Sequence, residues 1–156
     1  MKKNKTYAGY INLKPINGII FPSYIQNQMN KKFIIEELES DFFLSTNENM
    51  YAENDIVLNS LIKERNNLNG IVMLSAFSLP EKFENRERIY RNLLKNKKTL
   101  HFIFEKTLFQ KKENIVKIEN YLIFRDSFFT NTKKKLSNFE KKKFFRPKLG
   151  IHLNLN

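Results

Sequence analysis

The segment that most constrains the fold is the apolar run at residues 70–74, which reads Gly-Ile-Val-Met-Leu. No polar residue alternates with the apolar ones, so both faces of the segment require burial. This is typical of a central strand in a parallel sheet that carries helices on both sides. Ser75, Ser78 and Pro80 end the strand. Because ligands of open α/β sheets bind just outside the carboxyl ends of the strands, the same stretch indicates the edge of a candidate site.

Alternating strand and helix patterns surround this segment. Strands are predicted at residues 7–13, 41–45 and 99–104. The first helix is predicted to start near Pro22, and the second is predicted to be capped by Asp55. Two further helices are predicted at residues 83–95 and 113–129. Right-handed crossovers between such strands predict a three-layer α/β/α sandwich with a mostly parallel sheet of four to five strands. Residues 1–131 are predicted to form one α/β domain, and residues 132–156 a lysine-rich C-terminal extension.

Composition excludes several classes of site. The 156 residues include no Cys and only two His, which rules out disulfides, thiolate zinc, iron–sulfur clusters and histidine-rich metal sites. The sequence predicts no metal site and identifies no cofactor. The apolar runs are too short to span a membrane, and no signal core follows the basic N-terminus. A cytoplasmic location is therefore expected.

The net charge of +12 is concentrated near the C-terminus. Residues 132–156 hold seven Lys and one Arg against a single Glu. Such a segment can contact an anionic surface or nucleic acid, and a solvated extension is the structural alternative. Lys outnumbers Arg in the whole chain, whereas specific phosphate recognition favours Arg. The sequence is compatible with either a monomer or an oligomer.

Polar side chains stand at the carboxyl ends of all four predicted strands. Because these ends share one edge of a parallel sheet, we expect them to converge near the N-terminus of the first helix, which suits an anion. Glu48, Ser75 and Glu105 are the candidate catalytic residues, because two carboxylates beside a hydroxyl can support acid–base chemistry on a sugar. The candidate ligand-binding residues are Tyr10, Asn12, Lys14, Gln26, Asn27, Ser45, Phe77, Ser78 and Arg86.

Each candidate also has a structural interpretation. Ser75 is suited to capping the turn that follows it, and Glu48 to a solvated surface. Glu105 can simply pair with a lysine. His101 lies between apolar residues of a predicted strand, where a sheet-face histidine with one hydrogen bond is the alternative to a catalytic base.

Several segments within residues 7–125 resemble one protein family in order and spacing. They are Gly9-Tyr10-Ile11, Asn17-Gly18, Pro22, Gln26-Asn27, Leu44-Ser45, Glu48, Leu68-Asn69-Gly70-Ile71-Val72, Ser75, Phe77, Leu79-Pro80, Arg86, Ile89-Tyr90, Leu100-His101-Phe102 and Glu105. They resemble the small "sporadic carbohydrate cluster" proteins of bacterial surface-polysaccharide gene clusters. The resemblance implies a cytoplasmic protein of that pathway that binds or modifies an anionic sugar or nucleotide-sugar. A non-catalytic regulatory or scaffold module of the same pathway is the alternative, with nucleic-acid binding as the third.

A fainter similarity, in pattern only, is to the catalytic domain of serine recombinases. It consists of a first strand that ends in polar residues, Gln26 on the first helix, and a buried strand that leads through Leu79 to a basic helix. The fold is therefore expected to be flavodoxin-like or resolvase-like. The recombinase nucleophile is a serine at the end of the first strand, where this chain reads Asn12-Leu13-Lys14. Strand-exchange chemistry is accordingly not predicted.

Overall fold

The computed structural model describes residues 4–16, 18–48 and 55–124. The chain divides into two compact units, Met1–Tyr121 and Leu122–Asn156. The predicted domain boundary at residue 131 and the lysine-rich extension lie outside the described residues. The strands are β1 (Thr6–Ile11), β2 (Asp41–Asn47), β3 (Gly70–Met73), β4 (Thr99–Phe102) and β5 (Thr107–Phe109). The helices are α1 (Ser23–Lys32), which continues as a π-helical turn (Phe33–Glu37), α2 (Ile56–Lys63), α3 (Phe83–Lys95) and α4 (113–124), with a 3₁₀ turn at Ala76–Ser78.

The strands form one sheet in the order β2-β1-β3-β4-β5. The first four are parallel, and β5 runs antiparallel to β4 after a tight turn. The predicted α/β fold with a mostly parallel sheet is therefore confirmed. The predicted fourth strand at residues 99–104 is shorter than expected, because the chain turns after Phe102 and returns as β5. Lys106 adopts a φ of 46° in that turn.

The central position of β3 is also confirmed. It lies between β1 and β4, and Ile71, Val72 and Met73 are all fully buried. Val72 packs with Tyr7 and with Ile34 of the π-helical turn on one face of the sheet. Because successive side chains of a strand point to opposite faces, Ile71 and Met73 are buried on the other face, where α2 and α3 lie against β3 and β4.

The strand order places the carboxyl ends of four strands on one edge. The chain leaves β1 for β2 at one side of the sheet and then crosses back to β3, so the order reverses between β1 and β3. The carboxyl edge of this sheet therefore brings together residues that follow β1, β2, β3 and β4. That edge is where the sequence predicts a site.

Candidate functional site

Ser75 and Glu105 meet at the carboxyl edge, as the parallel strand arrangement requires. The Ser75 hydroxyl donates a hydrogen bond to Glu105 Oε1 at 2.5 Å, and the backbone N–H of Ala76 donates to Glu105 Oε2 at 3.1 Å. The backbone N–H of Phe77 donates to Ser75 Oγ, and Ser75 is fully buried. The pair therefore holds the start of the 3₁₀ turn, in agreement with the capping interpretation of Ser75.

Glu48 performs a similar task at the start of α2. Its Oε2 accepts hydrogen bonds from the N–H groups of Val57 at 3.1 Å and Leu58 at 3.3 Å, and from the hydroxyl of Tyr10 at 3.1 Å. Asp55, which the sequence predicts as the cap of this helix, is the N-cap residue but makes no side-chain capping bond. Both candidate catalytic carboxylates, Glu48 and Glu105, thus accept hydrogen bonds from backbone amides at the start of a helical turn.

Tyr10 and Asp55 are both buried beside Glu48. Burial, and then the negative charge of Glu48, raise the pKa of the Tyr10 hydroxyl far above its ordinary value. Burial also raises the pKa of the Asp55 carboxyl, while the charge of Lys14 acts to lower it. Tyr10 is consequently a neutral hydrogen-bond donor in this cluster, and its ring does not reach the surface.

Three predicted ligand-binding residues form a junction between the ends of β1 and β3. Asn12 Nδ2 donates to the Ser78 carbonyl at 2.9 Å, and Gln26 Nε2 donates to the Asn12 carbonyl at 2.9 Å. The Asn12 N–H returns a bond to Gln26 Oε1 at 3.2 Å, and all three residues are buried. The N–H of Lys14 donates to Asn12 Oδ1. These polar groups at the ends of β1 and β3 meet, and in this structure they bind one another.

Arg86 forms a largely buried pair with Glu119. Its Nε and Nη2 donate to the two Glu119 oxygens at 2.9 and 2.6 Å, and its Nη1 donates to the Pro80 carbonyl. The Tyr90 hydroxyl donates to the same carboxylate at 2.8 Å. The pair links α3 to α4. Sequence reasoning missed Glu119, although its position four residues after Ile115, on the inward face of the helix, was an available signal.

A cleft of about 440 Å³ opens beside β2 at the N-terminal half of α1. We call it the β2–α1 cleft. Two of the predicted ligand-binding residues, Asn27 and Ser45, line it. Sequence reasoning missed the two exposed rings there, Tyr24 and Phe43. The complete lining is Ile11, Ser23, Tyr24, Asn27, Phe42, Phe43, Leu44, Ser45 and Asn47.

The electrostatics of the β2–α1 cleft favour an anion. The first turn of α1 contains no acidic residue, and its N-cap, Pro22, provides no side-chain cap. The first amides of any α-helix lack intrahelical acceptors and point out of the N-terminus. The Lys31 ammonium lies 6.0 Å from the centre of the Phe42 ring.

A second, more apolar cavity of about 520 Å³ lies where the π-helical turn faces β4 and β5. His101 lines it, with its ring centre 5.4 Å from that of Tyr7 and 5.9 Å from that of Phe33. His101 Nε2 is 3.3 Å from Thr99 Oγ1. Burial, and to a smaller extent the charge of Lys5, lower the pKa of His101 to about 4. The imidazole is therefore neutral near pH 7, as expected of a sheet-face histidine.

Among the residues that the structure describes, no three His, Cys, Asp or Glu side chains are arranged to hold a metal ion. Over the same ranges, none of the helices has the length and apolar character needed to cross a membrane.

The architecture defines a class: an α/β domain with a resolvase-like catalytic-domain fold. The crystal structure of the N-terminal catalytic domain of TP901-1 integrase matches this chain with a TM-score of 0.54. The match covers 82% of this chain and 98% of that domain, at 14% sequence identity. At that identity it shows the fold alone, and it is consistent with the fainter recombinase-like similarity. No protein-family model and no curated protein matches the chain, and the resemblance to sporadic carbohydrate cluster proteins receives no support from the comparisons.

Proposed function

We propose that this protein binds a small anionic sugar or nucleotide-linked sugar in the β2–α1 cleft, as a non-catalytic module of bacterial surface-carbohydrate biosynthesis. One observation carries the binding proposal: the cleft joins a helix N-terminus without acidic residues to amide, hydroxyl and exposed aromatic side chains. The pathway is supported by the sequence resemblance across residues 7–125.

Each part of such a ligand has a counterpart in the cleft. A phosphate or carboxylate suits the outward-pointing amides at the start of α1. Sugar hydroxyls suit the exposed side-chain amides of Asn27 and Asn47. The apolar face of a sugar or a base suits the rings of Tyr24 and Phe43. The volume of about 440 Å³ falls within the ordinary range of small-molecule sites.

The contacts of the candidate catalytic residues favour binding over modification. A general acid or base must come within hydrogen-bond reach of the group that it protonates or deprotonates. Glu48 and Glu105 are engaged with backbone amides, and Ser75 is fully buried. Binding by the cleft needs none of these three side chains.

The test is a thermal-shift and calorimetric screen of the full chain against nucleotide-sugars and sugar phosphates. A ligand at 100 times its Kd stabilises the folded state by about 2.7 kcal/mol. Asn27→Ala should weaken binding about five- to tenfold, the usual effect of one lost hydrogen bond. Gln28→Ala is the matched control, because Gln28 is an exposed amide on the same helix and does not line the cleft. Absence of binding, or equal effects of the two substitutions, would contradict the proposal, and turnover of a bound ligand would replace it with an enzymatic function.

Nucleic-acid binding is a second candidate, favoured by the net charge of +12 and by the basic residues of 132–156. Anisotropy titrations with duplex DNA should then show an affinity that falls steeply with salt. Deleting residues 132–156 should abolish that affinity. DNA binding that is weak at low salt, or unchanged by the deletion, would exclude this function for the extension.

A further inference from the structure

Two loops at the carboxyl edge present exposed apolar side chains. The β1–α1 loop carries Ile19 and Ile20, each 59% exposed, and the β4–β5 turn carries Phe104, 42% exposed. The ring of Phe21 lies 5.4 Å from that of Phe104, so the two loops are in contact. We call Ile19, Ile20, Phe21 and Phe104 the apolar tip.

The backbone holds the apolar tip in place. The N–H of Ile16 donates to the Ile19 carbonyl at 2.8 Å, and the N–H of Ile19 donates back to the Ile16 carbonyl at 3.0 Å. Gly18 adopts a φ of 81° within this turn, a conformation that favours glycine. On the other loop, the N–H of Phe104 donates to the Leu74 carbonyl at 2.8 Å. These bonds fix the loop backbones with the apolar side chains exposed.

The two loops carry a net positive charge. Residues 12–22 contain Lys14 and no acidic residue. In the β4–β5 turn, Lys106 is exposed, whereas Glu105 is bound to the Ser75 hydroxyl and the Ala76 N–H. Two lysines therefore accompany the apolar tip against the single carboxylate of Glu105, so the two loops carry a net positive charge. That combination complements an anionic surface with an apolar interior.

We propose that the apolar tip inserts into the surface of an anionic lipid bilayer. Ile19, Ile20 and Phe104 enter the boundary between headgroups and acyl chains, and Lys14 and Lys106 face the lipid phosphates. A stable protein interface buries about 800 Å² on each partner around a packed core, and four side chains on two loops offer much less. A bilayer, in contrast, accepts individual apolar side chains, and nearby lysines strengthen the attachment. This interaction is independent of the β2–α1 cleft.

The absence of tryptophan from the chain makes a direct test possible. In the full chain, Ile20→Trp introduces a single reporter at the apolar tip, and Ile35→Trp introduces a matched one. Ile35 is 48% exposed and lies in the π-helical turn shortly before β2 begins, at the amino edge of the sheet. With vesicles of phosphatidylglycerol and phosphatidylcholine, the emission of Ile20→Trp should shift to the blue and that of Ile35→Trp should not. Equal shifts, or no shift in Ile20→Trp, would overturn the proposal.

Vesicle sedimentation provides the second measurement. The double variant Ile19→Asp/Ile20→Asp should bind at least about tenfold more weakly than the unmodified chain, since burial of one isoleucine alone is worth about tenfold in partition. Ile35→Asp should bind like the unmodified chain, and circular dichroism checks that both variants fold. Equal binding by the unmodified chain and the double variant would assign attachment to another part of the chain, such as 132–156. Failure of the unmodified chain to bind would leave a protein as the partner of the tip, and either result refutes the proposal. The ligand screen of the β2–α1 cleft measures a different interaction, so its result does not depend on either vesicle experiment.

Discussion

Lowering the pH from 7 to 4 should destabilise this domain through His101. Burial lowers the pKa of the folded-state imidazole from 6.5 to about 4, with a smaller contribution from the charge of Lys5. In the unfolded chain the imidazole gains a proton near its ordinary pKa of about 6.5. Between these two pH values the unfolded state therefore binds more protons than the folded state. Above pH 6.5 the imidazole is neutral in both states and causes no loss of stability, whereas the folded state is destabilised progressively as the pH falls toward 4.

The size of the effect follows from the two pKa values. They differ by about 2.5 pKa units, taken as 6.5 minus about 4. At about 1.36 kcal/mol per unit, this corresponds to on the order of 3 kcal/mol. His101 keeps some contact with solvent, and screening there reduces the value to about 2 kcal/mol. Such a loss is a large part of a typical domain stability of about 5–15 kcal/mol.

Urea unfolding between pH 8 and pH 4 measures this contribution. The comparison variant is His101→Gln, whose amide does not titrate and can still contact Thr99 Oγ1. Carboxylates titrate alike in both proteins, so the difference between the two profiles isolates His101. From pH 7 to pH 4, the unmodified protein should lose about 2 kcal/mol more than the variant. Parallel profiles would refute the reasoning, because they would mean that the folded imidazole accepts a proton as readily as the unfolded one.

Three other substitutions test the packing and the electrostatics. Val72→Asp should cost on the order of 3–5 kcal/mol, because it leaves an unpaired charge at a fully buried position, and chemical denaturation showing near-normal stability would exclude the central-strand assignment. Gly9→Ala should cost about 1–3 kcal/mol, because the new Cβ would lie 2.1 Å from Ser45 Oγ, and a double-mutant cycle with Ser45→Ala should recover part of the loss. Burial raises the pKa of the Asp55 carboxyl above 3.8 in the folded state, so the charged carboxylate destabilises the folded protein at pH 7. Asp55→Asn removes that charge and should therefore stabilise the protein at pH 7. The gain should disappear in thermal melts below pH 3.8, and a gain that persists there would have another cause.

The sequence predicted the order of strands and helices because burial leaves a local periodic trace. Residues 70–74 read as a strand buried on both faces, and the structure places β3 at the centre of the sheet. The end of β4 was harder to predict, because the apolar residues 99–104 continue past the turn at Phe102. A turn there depends on the pairing of β4 with β5 and not on the composition of the run itself.

For the candidate site, the sequence predicted convergence better than it predicted contacts. Parallel strands share one carboxyl edge, so the meeting of Ser75 with Glu105, 30 residues apart, followed from topology. The partner of Arg86 did not, because Glu119 lies 33 residues away on a helix whose rotation is set by packing. The position of the cleft was equally hidden, since it depends on how α1 lies against β2.

By itself, the sequence determined the class of fold, the central strand and the edge at which polar side chains gather. Hydrophobic periodicity shows where strands and helices lie along the chain, and the right-handedness of crossovers then limits how those elements can be arranged. The tertiary structure decided which of those side chains form hydrogen bonds with one another and which line an open cleft. Asn12 and Gln26 bind each other at the β1–β3 junction, whereas Asn27, one residue further along α1, lines the cleft. The physical reason is that a hydrogen bond requires two groups within about 3 Å, and only the packing of helices on the sheet sets distances between residues that are remote in the chain.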